Sequence, residues 1–395
     1  MRRGSWHQFG DRSQKLATEM LGLGTGVGVI ISARDLSFQK ARHYADIYRG
    51  LGAEVLIDLQ FYVPHFTNPK LRSYPFGAYR LAIPELCRLS DHEVAGLASP
   101  LEQIHSRIGA NAVIAPAVAY EAGQNDIAIL NARLFHVAKA VGGNLGIPSY
   151  ATVILGQSTT TSAATMDAAL SQATALDADG WYYAFEFSPE RVPSDPDTVL
   201  RCCKAGLTLA CTGKPVLHAY AGPMALLSHG FGSTGAAVGH SQNLWRFTRG
   251  RWSRAKRGAG QAPPRFFSTA LWGTIIYPDE TRRLPADLRA AILTTTEFAT
   301  PVFSNLRWDR WSANKHFVAA ICQKVDLISR NTDPRTCARS AVEVLQSALS
   351  LHDRIGATGM SLRDDTNAYQ HSWLQSLQRL LTEADADYNY LSLLG

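Results

Sequence analysis

Short apolar runs alternate with amphipathic stretches along the first 278 residues. Val27–Ser32 (VGVIIS), Glu54–Leu59 (EVLIDL), Asn111–Val118 (NAVIAPAV), Ser149–Leu155 (SYATVIL), Gly180–Phe187 (GWYYAFEF) and Val216–Tyr220 (VLHAY) are continuously or nearly continuously apolar. Such runs read as strands buried on both faces of a parallel sheet. Gly235–Gly239 and Phe266–Trp272 are the expected seventh and eighth. Between them, Phe38–Leu51, Asp91–Ile108, Asp126–Val141, Ala163–Leu176 and Asp197–Ala210 carry helical periodicity. Eight such units match the size of a (β/α)8 TIM-like barrel, about 250 residues. The glycines at 22, 24, 26 and 28 precede the first run. A dinucleotide-binding loop would follow its strand, so an open doubly wound sheet is disfavoured.

After Pro278 the pattern is helical only, with Pro285–Phe298, Ser312–Ser329, Pro334–Ile355 and Thr366–Ala384. Pro285 and Pro334 stand where a first-turn proline belongs. The organisation expected is therefore α/β: a lead-in over 1–26, a barrel over 27–278, and a C-terminal all-helical extension over 279–395 packed on it. That extension would cover the open face of the barrel or build an interface with a protein partner or a second copy.

Composition narrows the class. Of the 395 residues, 46% are hydrophobic and 18% charged, which excludes wholesale disorder. No apolar run reaches the ~18 residues of a membrane span, and the polar start lacks the apolar core of a signal peptide. Six cysteines form no C-x-x-C pair, so neither a disulfide framework nor a cysteine zinc site is indicated. A reduced, cytoplasmic setting is expected. The net charge of +6 is unevenly spread: no Asp or Glu occurs between Asp197 and Asp279, while ten Lys and Arg do, seven of them from Arg246 to Arg265. This asymmetry points to an anionic partner.

Barrel chemistry sits at the C-terminal ends of the strands. There the sequence places Arg34 and Asp35, Asp58 with Gln60 and Tyr62, Tyr120 and Glu121, Gln157 and Ser158, Glu186, His218 and Tyr220, and His240 with Ser241. Asp58 and Glu186 are carboxylates inside apolar runs, where an unpaired charge is costly. Two such groups can act as acid and base, or as nucleophile and acid, on a glycosidic bond. Pairing with arginine or backbone amides would instead make them structural. His218 and His240 are the candidate assistants. No metal motif is present, although Asp58, Glu186 and His218 offer ligands of the right kind for a divalent ion. The cofactor is otherwise unspecified.

Gly222, Gly235 and Gly239, with Ser241 and Arg246, resemble the loops that bind phosphate after late barrel strands, and Glu121, Gln157 and Tyr220 complete the expected substrate contacts. Beyond them, Trp245–Trp252 (WRFTRGRW) interleaves aromatic and basic residues, a composition suited to nucleic acid. Arg249, Arg251, Trp252, Arg254, Lys256 and Arg257 are the candidate contacts. In layout the chain resembles the tRNA-guanine transglycosylase barrel at the level of fold alone, since an acidic residue ends an early strand there too. That family's cysteine-rich zinc site has no counterpart here, and no aspartate motif matches near strand eight.

Two expectations follow. The first is a barrel enzyme, a hydrolase or transferase, that acts on a phosphate-bearing nucleotide or nucleic acid by carboxylate chemistry, cleaving a glycosidic bond or exchanging a base. The second is a non-catalytic barrel that binds nucleic acid or protein within a larger assembly.

Overall fold

The computed structural model describes residues 1–10, 12–63, 68–187, 192–241, 244–252, 264–294, 296–299, 308–363 and 367–394. Eight parallel strands form one sheet that curls almost into a closed barrel: β1 (Gly4–Gln8), β2 (Gly28–Ser32), β3 (Glu54–Asp58), β4 (Val113–Ile114), β5 (Ser149–Leu155), β6 (Gly180–Phe185), β7 (Val216–His218) and β8 (Gly235–Val238). Their order is β3-β2-β1-β8-β7-β6-β5-β4. The register carries Gln8 opposite Ile30 and Ser32 opposite Asp58. The remaining seam, between β4 and β3, is closed by Asn111. Its backbone N–H donates to the Val55 carbonyl (2.8 Å), and its side-chain Oδ1 accepts from the Val55 N–H (2.7 Å).

The expected architecture is present, a (β/α)8-type barrel with a helical extension, but its strands are counted differently. The first strand is Gly4–Gln8, within the expected lead-in, so each later run moves up one place and Gly235–Val238 is the eighth. Phe266–Trp272 lies outside the barrel sheet. Its first part belongs to β9 (Arg265–Ser268), which pairs antiparallel with β10 (Gly273–Ile276) in a separate hairpin. A run of this length and composition suits a hairpin strand as well as a barrel strand.

Period-2 alternation divides the side chains into two cores. Trp6, Ile30, Leu56, Ile114, Ile154, Tyr182, Leu217 and Ala237 fill the barrel interior. Val29, Ile31, Val55, Ile57, Tyr183 and Phe185 face the surrounding helices. The helix Arg310–Ser329 packs on β1 and β8, where a final barrel helix belongs, and its Asp326 accepts from the Ser5 N–H (2.7 Å). Two further helices are tied to the barrel's flank. In Ala368–Glu383, Trp373 Nε1 donates to the Pro193 carbonyl (2.9 Å). In Asp385–Leu394, Tyr388 donates its hydroxyl proton to the Gly230 carbonyl (2.7 Å). The C-terminal helices therefore complete the wall of the barrel. No helix among the described residues is long and apolar enough to cross a membrane.

Candidate functional site

Asp58 is the last residue of β3. Leu56, two residues earlier, belongs to the interior cluster, so strand alternation turns the Asp58 carboxylate into the barrel. Tyr182, on β6, donates its hydroxyl proton to Asp58 Oδ2 at 2.9 Å. The Tyr220 hydroxyl reaches the same oxygen at 3.3 Å. The Gln60 backbone N–H donates to Oδ1 at 2.7 Å, and Tyr62 adds a third hydroxyl to the carboxylate. Gln60 Nε2 in turn donates to the Tyr220 hydroxyl at 2.7 Å. Burial pushes the Asp58 carboxyl up to about 6, against the downward pull of these donors.

Backbone strain coincides with this cluster. Gln60 has φ +52° and Tyr220 φ +53°, the left-handed region that side chains with a Cβ rarely adopt. Each such residue costs about 1–3 kcal/mol and persists where the surroundings impose it, most often at functional sites. Here the two strained residues hydrogen-bond to each other and both contact Asp58.

Glu186 follows β6 and occupies a different setting. Its Oε1 accepts from the Arg249 backbone N–H (2.7 Å), and its Oε2 accepts from Arg249 Nε (2.7 Å). The same guanidinium bridges to Glu121, whose carboxylate also accepts from the Ser158 N–H (3.0 Å) and hydroxyl. Glu186 is thus an arginine-paired carboxylate at the barrel rim. It lies beside the aromatic wall, because its backbone bridges to Phe247.

The segment 244–249 lies over the barrel mouth as a strap. Phe247, 1% exposed, sets its ring edge-on to Tyr62 (centroids 5.2 Å apart) and to Tyr220 (5.7 Å). Trp245 stacks on Phe317 of the C-terminal region, 4.4 Å between centroids. Arg249 makes the carboxylate contacts just described. The aromatic and basic residues read as a nucleic-acid surface are therefore, as far as Trp245, Phe247 and Arg249 are concerned, turned into the molecule. Arg246 is half-buried. Arg254, Lys256 and Arg257 lie outside the described residues, as do the side chains of Arg251 and Trp252.

The glycines serve the strap. A Cβ on Gly222, where φ is +50°, would meet the Trp245 Cα at 2.5 Å, and one on Gly239 would collide with the Leu244 side chain. Gly235 packs on Trp6 and Leu217. These positions give close packing. Ser241 is half-buried and Gln157 exposed.

His218 stands apart from Asp58. His218 faces the helical layer: its ring stacks on Tyr183 (4.8 Å), packs against Phe185 and Phe231, and bonds Ser228 Oγ through Nδ1 (2.8 Å). Burial lowers it to about 3, so it is neutral at physiological pH. His240 pairs its Nδ1 with Ser13 Oγ (2.9 Å). Asp58, Glu186 and His218 do not form a common ligand set, because the sheet separates the first from the last. Among the described residues, no three His, Cys, Asp or Glu come together to hold a metal ion.

Sequence reasoning had not singled out Tyr182 or Gln8. Tyr182 was findable, since it precedes Glu186 by four residues on the same strand face. Gln8, at the end of β1, is 2% exposed, and neither polar atom of its amide has a hydrogen-bond partner among the described residues. The chain matches no protein-family model and no curated protein.

Proposed function

We propose that the protein is an enzyme that acts on the glycosidic bond of a nucleotide, with Asp58 as its general acid and Glu186 as its base. One observation carries this reading: a carboxyl raised to about 6, inside the barrel at the C-terminal end of a strand, ringed by tyrosine hydroxyls and two strained residues. A group titrating near neutrality is available in both protonation states, as proton transfer requires. The tyrosine rings supply flat faces for a base, and the arginine at the rim supplies charge for a phosphate.

In hydrolysis, protonated Asp58 gives its proton to the departing base nitrogen. The C1′–N bond breaks and its electron pair goes to the base. Water supplies a hydroxyl to C1′ and yields its proton to Glu186, which Arg249 must first release. Base exchange follows the same path with an incoming base in place of water. His218, turned to the outer face of the sheet, has no part in it. The inward-turned Trp245 and Phe247 favour a mononucleotide over a nucleic-acid strand. They also weaken the reading of a non-catalytic polymer-binding barrel.

The test is release of free base from the ribonucleoside and deoxyribonucleoside 5′-monophosphates. Wild type should release base from at least one of them, and Asp58→Asn should lower the rate about a hundredfold or more at unchanged melting temperature. Release that survives in Asp58→Asn, or no release from any nucleotide, overturns the proposal.

A further inference from the structure

We infer that Phe247 occupies the place of the substrate's planar ring, and that the strap 244–249 is a closure released by the substrate's own anionic group. This rests on the nucleotide reading above and concerns how that site admits its ligand.

Four observations converge. First, the site is shut: Asp58, Gln60, Tyr62, Tyr182 and Tyr220 are all 3% exposed or less, so no ligand reaches Asp58 unless something moves. Second, what covers them is itself a flat aromatic ring, held edge-on to two tyrosines in the packing that a bound heterocycle would adopt.

Third, the closed mouth leaves polar groups unsatisfied. Both amide atoms of Gln8 and the Oε1 of Gln60 are buried without a partner among the described residues. Each such group costs about 1–3 kcal/mol. An apolar ring such as Phe247 cannot satisfy them, whereas a ring with in-plane N–H and C=O groups can. The Gln8 amide presents one donor and one acceptor side by side, and Gln60 adds an acceptor. These are complements to the lactam or amidine edge of a nucleobase.

Fourth, the strap is fastened by charge. Arg249 binds Glu186 and Glu121, and its side chain is 38% exposed, within reach of solvent anions. A phosphate competes with two carboxylates for the same guanidinium. Its success would free Glu186 and lift Phe247 together. Gly222 and Gly239, which now admit Trp245 and Leu244 at close quarters, would then expose their backbone to the ligand.

The experiment reads binding and strap opening, not product. AMP, CMP, GMP, UMP, their nucleosides and inorganic phosphate are titrated calorimetrically into the full chain as wild type, Phe247→Ala, Arg249→Gln and Gln8→Met. Amide hydrogen exchange is followed in the peptide covering 244–250. At least one monophosphate should bind wild type and accelerate exchange in that peptide. The matching nucleoside should bind Phe247→Ala and Arg249→Gln at least about tenfold more tightly than wild type, and Gln8→Met should lose about tenfold or more.

Nucleotide binding with unchanged exchange at 244–250 overturns the inference, and it needs no variant to fold. So does nucleoside affinity that fails to rise in both unlatched variants, or an absence of binding in all four proteins. Strap opening by a nucleotide that releases no base would leave this inference standing and defeat the proposed reaction. Base release with a strap that stays protected would do the reverse.

Discussion

Arg249 grips Glu186 from both sides of one carboxylate, with its backbone N–H on Oε1 and its guanidinium on Oε2. A carboxylate that is 5% exposed needs such a partner, because an isolated buried charge is costly. The pair also joins two distant parts of the chain, the end of β6 and the strap over the barrel mouth. Arg249→Gln should therefore destabilise the protein by about 2 kcal/mol, less than a fully buried pair would lose because the arginine is partly solvated. Glu186→Gln added to it should recover most of that loss. Chemical denaturation of the two single variants and the double variant measures the coupling, and strict additivity would show that the pair holds nothing.

Buried neutral histidines make the fold sensitive to acid. Burial lowers His105 and His316 to about 4, and His218 and His229 to about 3, from an ordinary 6.5. Between those values the unfolded chain binds protons that the folded one does not, so stability falls as pH drops below 6.5. At pH 5 unfolding should take up about four protons through these residues. Melting temperatures from pH 8 to pH 5 should drop steeply, and His218→Phe should reduce that slope by close to one proton. A flat profile would mean that the four are charged in the fold.

Asn111 closes the seam between β4 and β3 with a side chain in place of a second backbone bond. Asn111→Ala leaves the Val55 N–H without its acceptor and should cost about 1–3 kcal/mol. Exchange of the Val55 amide should accelerate before that of the β5–β6 ladder. Equal protection of Val55 in variant and wild type would count against the seam.

Gly222→Ala sets a methyl against the Trp245 backbone and strains a left-handed residue. The strap should be pushed from its seat, with faster exchange over 244–249 and a loss of about 1–2 kcal/mol in stability. Full protection of 244–249 in this variant would show that the strap is not seated on the glycine.

The barrel was legible because most of its strands are plain apolar runs between helices. Gly4–Gln8 (GSWHQ) was not, since it has one large apolar residue. Two of its positions are tied down by specific partners: Asp326 for the Ser5 N–H, and the Thr25 carbonyl for the His7 ring (2.8 Å). No window of hydrophobicity registers such a strand. Asp58 was legible for a physical reason, a carboxylate at a strand end within an apolar run, and Gln60, Tyr62 and Tyr220 lay beside it or at a matching strand end. The same logic selected His218, yet strand alternation sends it to the outer face, opposite to Leu217 and Ala219. In the strap, Trp245 and Phe247 pack inward, a placement that local composition does not distinguish from a surface stripe.

The most direct measurement is the titration of the Asp58 carboxyl carbon by NMR in protein labelled with 13C at aspartate, with Asp58→Asn to assign the signal. Its pKa is raised in the fold, so the proton should remain bound as pH rises past 4 and leave near 6. A signal with its midpoint at about 6 that vanishes in the variant supports a proton-transfer group inside the barrel. A midpoint in the ordinary carboxylate range, near 4, would contradict the account, because Asp58 would then be ionised at working pH with no proton to give.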